Sequence, residues 1–403
     1  MSEPYRAVKV SDHVYWVGAI DWGIRDFHGY STDRGTTYNA YLVLADTITL
    51  IDTVKAPFKA ELLARIAAVV DPREIRYIVS NHSEMDHSGS LVEVMEAVQP
   101  EKVFASAMGA KALAEHFHLE QDIVAVKNGE SLSLGNANLT FMETRMLHWP
   151  DSMFSYLAED RLLFSQDGFG MHLATSERFA DEIDESILEY EGAKYFANIL
   201  LPFSPLVTKL LDKVSKMDMA IETIACDHGP IWRSDLARIL DWYATWAAQA
   251  PTMKAVVVYD TMWQSTAKMA AAIAEGLMAG GAQTRLLPLK SSHRSSVATE
   301  ILDAGALLVG SPTMNNNMFP TVADVLTYLK GLKPQNLIGA VFGSYGWSGE
   351  AVGQIRDVLE GMKVELVGDP LRVKYVPGGD AFQRCFELGR RVAERLKERC
   401  EKQ

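Results

Sequence analysis

A chain of 403 residues that is 48% apolar and 23% charged has room for two domains with separate cores, and its composition excludes a disordered or fibrous protein. A formal charge of −13 argues against a nucleic-acid partner, and three cysteines without a CxxC pair exclude a disulfide framework and a thiolate cluster, so any metal must be held by His and carboxylate. The opening MSEPYRAVKV has no basic start followed by an apolar core, and no run of about 18 apolar residues occurs, which predicts a cytoplasmic protein with no membrane span.

Two β runs are predicted at 38–44 and 48–53, followed by an amphipathic helix that Pro57 opens and that extends to about residue 70. Short apolar runs at 75–80, 102–105, 139–143, 162–165 and 221–225 predict further strands, with helical patterns between several of them, and so a layered α/β domain. Pro251 cannot continue the helical stretch 236–248, and a new strand pattern starts at Lys254. The boundary is therefore predicted at residue 250, giving domains 1–250 and 251–403. Beyond it, strands near 254–259, 283–288, 306–310, 337–343 and 364–367 alternate with helices near 266–280, 296–304, 320–331, 351–361 and 380–398, the rhythm of a doubly wound parallel sheet. Residues 251–403 carry 18 Lys+Arg against 15 Asp+Glu, whereas residues 1–250 carry 21 against 37.

The densest chemical signal is Asn81-His82-Ser83-Glu84-Met85-Asp86-His87, directly after the predicted strand that ends at Ser80. His148, Asp167 and His228 also stand just beyond predicted strands, where side chains converge on one rim. Four imidazoles and three carboxylates exceed what one tetrahedral zinc uses, and suit two metals bridged by a carboxylate. The other histidines, His13, His116, His118, His172 and His293, fall outside this pattern and read as surface or packing residues.

With its distant His, Asp and His, the HxExDH pattern resembles the di-iron domain of flavodiiron proteins, and the likeness runs through both domains. The resemblance implies a metallo-β-lactamase-like αββα sandwich followed by a flavodoxin-like domain. Hydrolases of the wider superfamily carry HxHxDH; Glu84 in place of the middle His adds negative charge and a hard oxygen donor, favouring iron over redox-silent zinc. Carried over, the resemblance puts His82, Glu84 and His148 on one iron, Asp86 and His228 on the other, and Asp167 between them. His87 either joins the second iron or swings aside. His28 and Tyr30 correspond to a loop that lines the substrate pocket, where they would donate protons or hydrogen bonds.

In the second domain, the stretch Thr261-Met262-Trp263-Gln264-Ser265-Thr266 follows the first strand and opens a helix, where backbone N–H groups and hydroxyls bind a phosphate. Gln264 stands where flavodoxin loops commonly have Gly. Two more loops, Ser311-Pro312-Thr313-Met314-Asn315-Asn316 and Ser344-Tyr345-Gly346-Trp347-Ser348-Gly349, end the third and fourth strands and complete the walls of the crevice at the switch point of the strand order. No GxGxxG follows the first strand, so FMN is expected over NAD.

Two ferrous ions and reduced FMN would hold four electrons, enough to take O2 to water, while two NO molecules need two to give N2O. The resemblance further implies a rubredoxin-type donor and a head-to-tail homodimer, or a dimer of such dimers. The alternative is a binuclear zinc hydrolase fused to a flavodoxin-like domain.

Overall fold

The computed structural model describes residues 5–119, 122–216 and 219–402. The chain forms two compact units: Met1–His28, Thr32–Tyr195 and Pro205–Ala244 make the first, and Gly29–Ser31, Phe196–Ser204 and Thr245–Gln403 make the second.

In the first unit, one sheet runs in the order β1 (Val8–Lys9), β2 (Val14–Trp16), β3 (Tyr41–Val43), β4 (Thr49–Ile51), β5 (Tyr77–Ser80), β6 (Lys102–Ser106), β7 (Val124–Val126). It is antiparallel as far as β4 and parallel from β4 to β7. A second sheet contains β8 (Ser131–Ser133), β9 (Asn138–Glu143), β10 (Met153–Leu157), β11 (Leu162–Gln166) and β12 (Thr223–Cys226). The period-2 alternation of strand side chains assigns the layers. Tyr41, Val43, Ile51, Val79 and Phe104 meet Leu139, Phe141, Leu157 and Phe164 of the second sheet. Their chain neighbours Leu42, Leu50, Ile78 and Val103 point the other way, onto Leu62 and Ile66 of α1 (Lys59–Ala67) and Leu91 and Val94 of α2 (Leu91–Val98).

The run expected at 38–44 is divided in two. Thr36–Tyr38 pairs with Ala19–Asp21, and β3 starts only at Tyr41. Asn39 makes the break: its backbone N–H donates to Asp227 O (2.7 Å), and its buried side chain holds it there, Nδ2 donating to Cys226 O (2.7 Å) and Gly229 O (3.0 Å) while Oδ1 accepts from Trp16 Nε1 (2.8 Å). These bonds fix the loop that leaves β12.

The second unit has a parallel sheet in the order β14 (Gln283–Pro288), β13 (Lys254–Tyr259), β15 (Ala306–Gly310), β16 (Ile338–Tyr345), β17 (Glu365–Leu366). The fifth strand is split: after Gly368-Asp369-Pro370, β18 (Leu371–Lys374) pairs with β16 further along, Phe342 opposite Leu371. Between strands lie α3 (Ser265–Ala279), α4 (Arg294–Ile301), α5 (Pro320–Leu332) and α6 (Glu350–Gly361), and α7 (Gly379–Cys400) follows the sheet. Met269, Ile273 and Leu277 of α3 and Cys385, Leu388 and Val392 of α7 cover one face of the sheet, over Val257, Leu308 and Phe342. The two helices touch backbone to backbone: a Cβ on Gly276 would lie 2.0 Å from Phe386 O, and one on Gly389 2.0 Å from Ile273 O. Among the described residues no helix is long and apolar enough to cross a membrane.

Candidate metal centre and flavin cradle

Most of the candidate metal ligands sit in or just past an ordered element. His82 and Glu84 follow β5, Asp86 and His87 lie in the single turn Met85–Ser88, Asp167 follows β11 and His228 follows β12; His148 is in the loop between β9 and β10. The seven side chains gather into two adjoining groups, His82, Glu84, His148 and Asp167 in one and Asp86, His87 and His228 in the other, with donor atoms inside each group within 4.8 Å of one another.

Asp167 faces both groups. Its Oδ2 lies 3.3 Å from His82 Nε2 and 3.0 Å from His148 Nε2, and its Oδ1 lies 3.2 Å from His87 Nε2 and 3.4 Å from His228 Nε2. Glu84 Oε2 approaches His82 Nε2 (3.3 Å) and His148 Nε2 (3.1 Å), and Asp86 Oδ2 approaches His228 Nε2 (3.2 Å). His87 Nε2 is turned toward the group, 3.5 Å from Asp86 Oδ1.

The electrostatics fit a pair of cations. Both oxygens of Asp86 and of Asp167 and both nitrogens of His87 are buried without a hydrogen-bonded partner, an arrangement that is costly unless something positive is shared among them. Burial works against the charge on Glu84, yet His148 and His82 bring its carboxyl down to about 2. Burial likewise opposes protonation of His87, but the charges of Asp86 and Asp167 raise it to about 10. His82 and His148 are raised too, against burial, by the carboxylates beside them, Asp151 and Glu84 for the first and Asp167 and Glu84 for the second. Carboxylates and imidazoles in such contact stabilise one another's charged forms, and a bound cation would take the place of the imidazole protons.

Three carboxylates that the sequence pattern did not single out stand behind the ligands. Asp151 Oδ2 is 3.1 Å from His82 Nδ1 and accepts from Ser83 N (2.6 Å), fixing the ring so that Nε2 faces inward. Asp227 Oδ2 is 3.5 Å from His87 Nδ1. Asp52 accepts from Asn81 N (2.7 Å) and Asn81 Nδ2 (2.9 Å), which anchors the start of the ligand loop, and burial raises its carboxyl to about 6. Asp151 and Asp227 each lie within three residues of a ligand, the one signal in the chain that marks them. His172, set aside by the ligand pattern, is buried against His228 at 4.6 Å between ring centroids and bonds to Thr36 Oγ1 at 2.8 Å.

His28 stands at the edge of the first group with Nε2 3.5 Å from Glu84 Oε1 and is mostly exposed. It lines a cavity of about 370 Å³ with Asp26, Phe27, Lys55, Glu84 and Asp86, a route from solvent to the ligands. Tyr30 is buried within the Gly29–Ser31 segment that belongs to the second unit.

The second unit holds a cavity of about 550 Å³ at the carboxyl ends of β13, β15 and β16. Of the residues expected around a flavin, Met262, Trp263, Ser265, Pro312, Thr313, Asn315, Asn316, Ser344, Tyr345, Gly346 and Trp347 line it. Thr261, Gln264, Thr266, Ser311 and Gly349 are not in its lining; they shape the walls from behind. Thr266 Oγ1 bonds to Ser344 Oγ (2.9 Å), tying the first loop to the third, and Ser311 Oγ accepts from Phe319 N (2.8 Å). Gln264 takes a left-handed φ of 65° just before α3, the conformation for which Gly is the usual choice. The hydroxyl of Thr313, in the lining, is buried without a partner, as a site for a polar ligand requires. Trp263 and Trp347 expose 89% and 86% of their surface, flat faces without a protein neighbour to cover them. Tyr375 and Val376, just past β18, also line the cavity and were absent from the sequence expectation, which ended the fifth strand at 367.

Residues 36–229 match the ODP family beta-lactamase model and residues 257–389 the flavodoxin model. The chain is 49% identical to a nitric oxide reductase of Moorella thermoacetica over 400 residues, 98% of this chain and all of the relative. Its fold matches the rubredoxin oxygen:oxidoreductase of Desulfovibrio gigas with a TM-score of 0.96 at 46% identity, covering 98% and 99% of the two chains. It matches the flavodiiron protein of Giardia intestinalis with a TM-score of 0.94 at 36% identity, covering 98% of each.

Proposed function

Because this chain belongs to the flavodiiron protein family, we propose that it reduces O2 to water, NO to N2O, or both, at two irons held by the first unit, with electrons delivered through FMN in the second. The observation that carries the reading is Asp167, whose two oxygens each face a separate group of imidazoles and carboxylates. Bound iron and FMN would together supply up to four electrons, sufficient for one O2 or for two pairs of NO molecules.

Everything else is done by the chain. His82, Glu84 and His148 would hold one iron, Asp86, His87 and His228 the other, with Asp167 shared. The three carboxylates set three negative charges against two divalent cations, leaving a small positive excess that favours electron-rich diatomic ligands. Asp151 holds the His82 ring in place through Nδ1, so the donor atom is oriented before metal arrives. His28, at the mouth of the cavity and beside Glu84, would present an imidazole N–H to bound substrate; its substitution should alter turnover or the balance between O2 and NO while iron stays bound. Tyr30 is assigned the same role from the resemblance.

The donor in this reading is a rubredoxin-like protein, the subunits associate head to tail as a dimer or a pair of dimers, and the protein works in the cytoplasm. A monomer that kept full turnover at any dilution would contradict the dimer. The hydrolase alternative is not favoured, since Glu84 stands where a third imidazole would serve zinc, and two relatives similar along the whole chain are named nitric oxide reductase and rubredoxin oxygen:oxidoreductase.

Anaerobic stopped-flow of the fully reduced protein against O2 and against NO tests the function, with iron and flavin measured on the same sample. Consumption of either gas by protein carrying two irons and one FMN is the expected result. Zinc in the cage after growth in ample iron, or protein without a yellow chromophore, would sink the proposal.

A further inference from the structure

The positive excess of residues 251–403 is concentrated at one end: residues 251–362 carry 8 Lys+Arg and 8 Asp+Glu, whereas residues 363–403 carry 10 and 7. Four of those ten cations are already paired, Lys397 with Glu401 among them. Arg390 pairs with Glu387 and Glu394, Arg395 with Glu365 and Glu398, and Arg399 with Glu365. Among the described residues Arg372, Lys374, Arg384 and Arg391 make no ion pair, and all four are exposed.

Their placement follows from local periodicity. Arg372 and Lys374 alternate with the buried Val373 along β18 and so share its outer face. Arg384 and Arg391 are seven residues apart on α7 and share one side of the helix. Arg372, Arg384 and Arg391 line one concavity of about 450 Å³, and Arg372, Lys374 and Arg384 line its neighbour together with Val376. Val376 is also a wall of the flavin cavity, so the unpaired cations run up to its rim. Asp369 and Asp380 stand in the same walls without an ion pair to them. Tyr375, Val376 and Phe382 add exposed apolar surface, 61%, 68% and 36% accessible, so the patch combines Arg with aromatic groups, as docking sites commonly do.

We infer that Arg372, Lys374, Arg384 and Arg391, with Tyr375 and Val376 at the cavity rim, form the docking surface for a small acidic electron-transfer protein. The inference rests on the reading that an external donor reduces the FMN. A patch this small and polar suits a brief redox encounter and not a permanent interface, which buries a larger and more apolar area. Unpaired, exposed cations raise the encounter rate without holding the donor after its electron has passed. The transfer itself is one electron per encounter: the donor's ferrous centre becomes ferric and the flavin gains that electron, so two encounters complete its reduction.

The test compares the native protein with the triple variant R372E/R384E/R391E and, separately, with K374E, each loaded with iron and FMN. Reduced rubredoxin serves as donor across a series of ionic strengths. FMN reduction at low salt should be slowed about tenfold or more in the triple variant, with a flattened salt dependence, and less in K374E. Photochemical reduction of the flavin, and gas consumption by the photoreduced protein, should match the native values. A triple variant reduced by rubredoxin at the native rate and with the native salt slope would overturn the patch and leave the donor reading standing. Native protein that no rubredoxin reduces would remove the donor reading and the patch with it. A triple variant that falls apart into monomers would assign the surface to a second copy of the chain instead.

Discussion

The two cofactor sites are built on opposite plans. In the first unit the ligand atoms belong to side chains that charge one another, and two of the rings are backed by further buried carboxylates, His82 by Asp151 and His87 by Asp227. In the second unit the cavity is walled by loops, with backbone curvature at Gln264, Asn315 and Asn316 and exposed indoles at Trp263 and Trp347. A metal cage requires particular elements at particular points, whereas a flavin cradle requires a shape that many residues supply. The first plan should respond steeply to single substitutions and the second mildly.

Asp167→Ala breaks the comparison at its strongest point. Losing the carboxylate shared by both groups should cost iron and activity by more than the roughly 10–100-fold attributed to outer partners, with FMN content unchanged. Full retention of two irons would mean the cage does not depend on its shared member. Protons sharpen the same side. Burial resists protonation of His87, but its carboxylate neighbours hold it near 10, and His82 and His148 are raised as well, so metal must displace protons from imidazole. Ferrous uptake by the metal-free protein should therefore release acid into weak buffer, and affinity should climb with pH up to about 10, by about tenfold per unit for each proton displaced. Affinity that is flat with pH would refute it. Asp151→Asn, which leaves the ligands themselves intact, should weaken iron binding by about 10–100-fold, read by competition with a chelator.

On the flavin side the responses should be smaller. Gly389→Ala sets a methyl carbon against Ile273 O and should lower the stability of the second unit by about 1–3 kcal/mol, seen as an earlier flavin-release transition while iron content stays native. Trp347→Ala removes one exposed face and should weaken FMN by about 1 kcal/mol, measured by fluorescence titration, because the other walls persist. A loss of FMN as complete as the iron loss in Asp167→Ala would erase the contrast between the sites.

The same contrast governs what could be read from the sequence. The family and both fold classes were legible, because strand alternation and the HxExDH spacing survive as plain residue identities. The break at Asn39 was not, since it depends on hydrogen bonds to Cys226 and Gly229, far along the chain. Tyr375 and Val376 escaped because Gly368-Asp369-Pro370 interrupts the fifth strand, so the pattern stops before β18 resumes. Asp52 was hidden for a similar reason: its contact with Asn81 joins two strand ends that only the folded sheet brings side by side.

Asp167 follows immediately on β11, and His82 and His228 come two residues after β5 and β12. A strand is read in steps of two, so its end behaves like a reading frame. Deleting one residue from β5, β11 or β12 would keep every donor in the chain yet turn the next side chain to the opposite face. Length changes within those three strands should therefore be as damaging as loss of a ligand, while insertions in the outer turns of the same sheets should pass almost unnoticed.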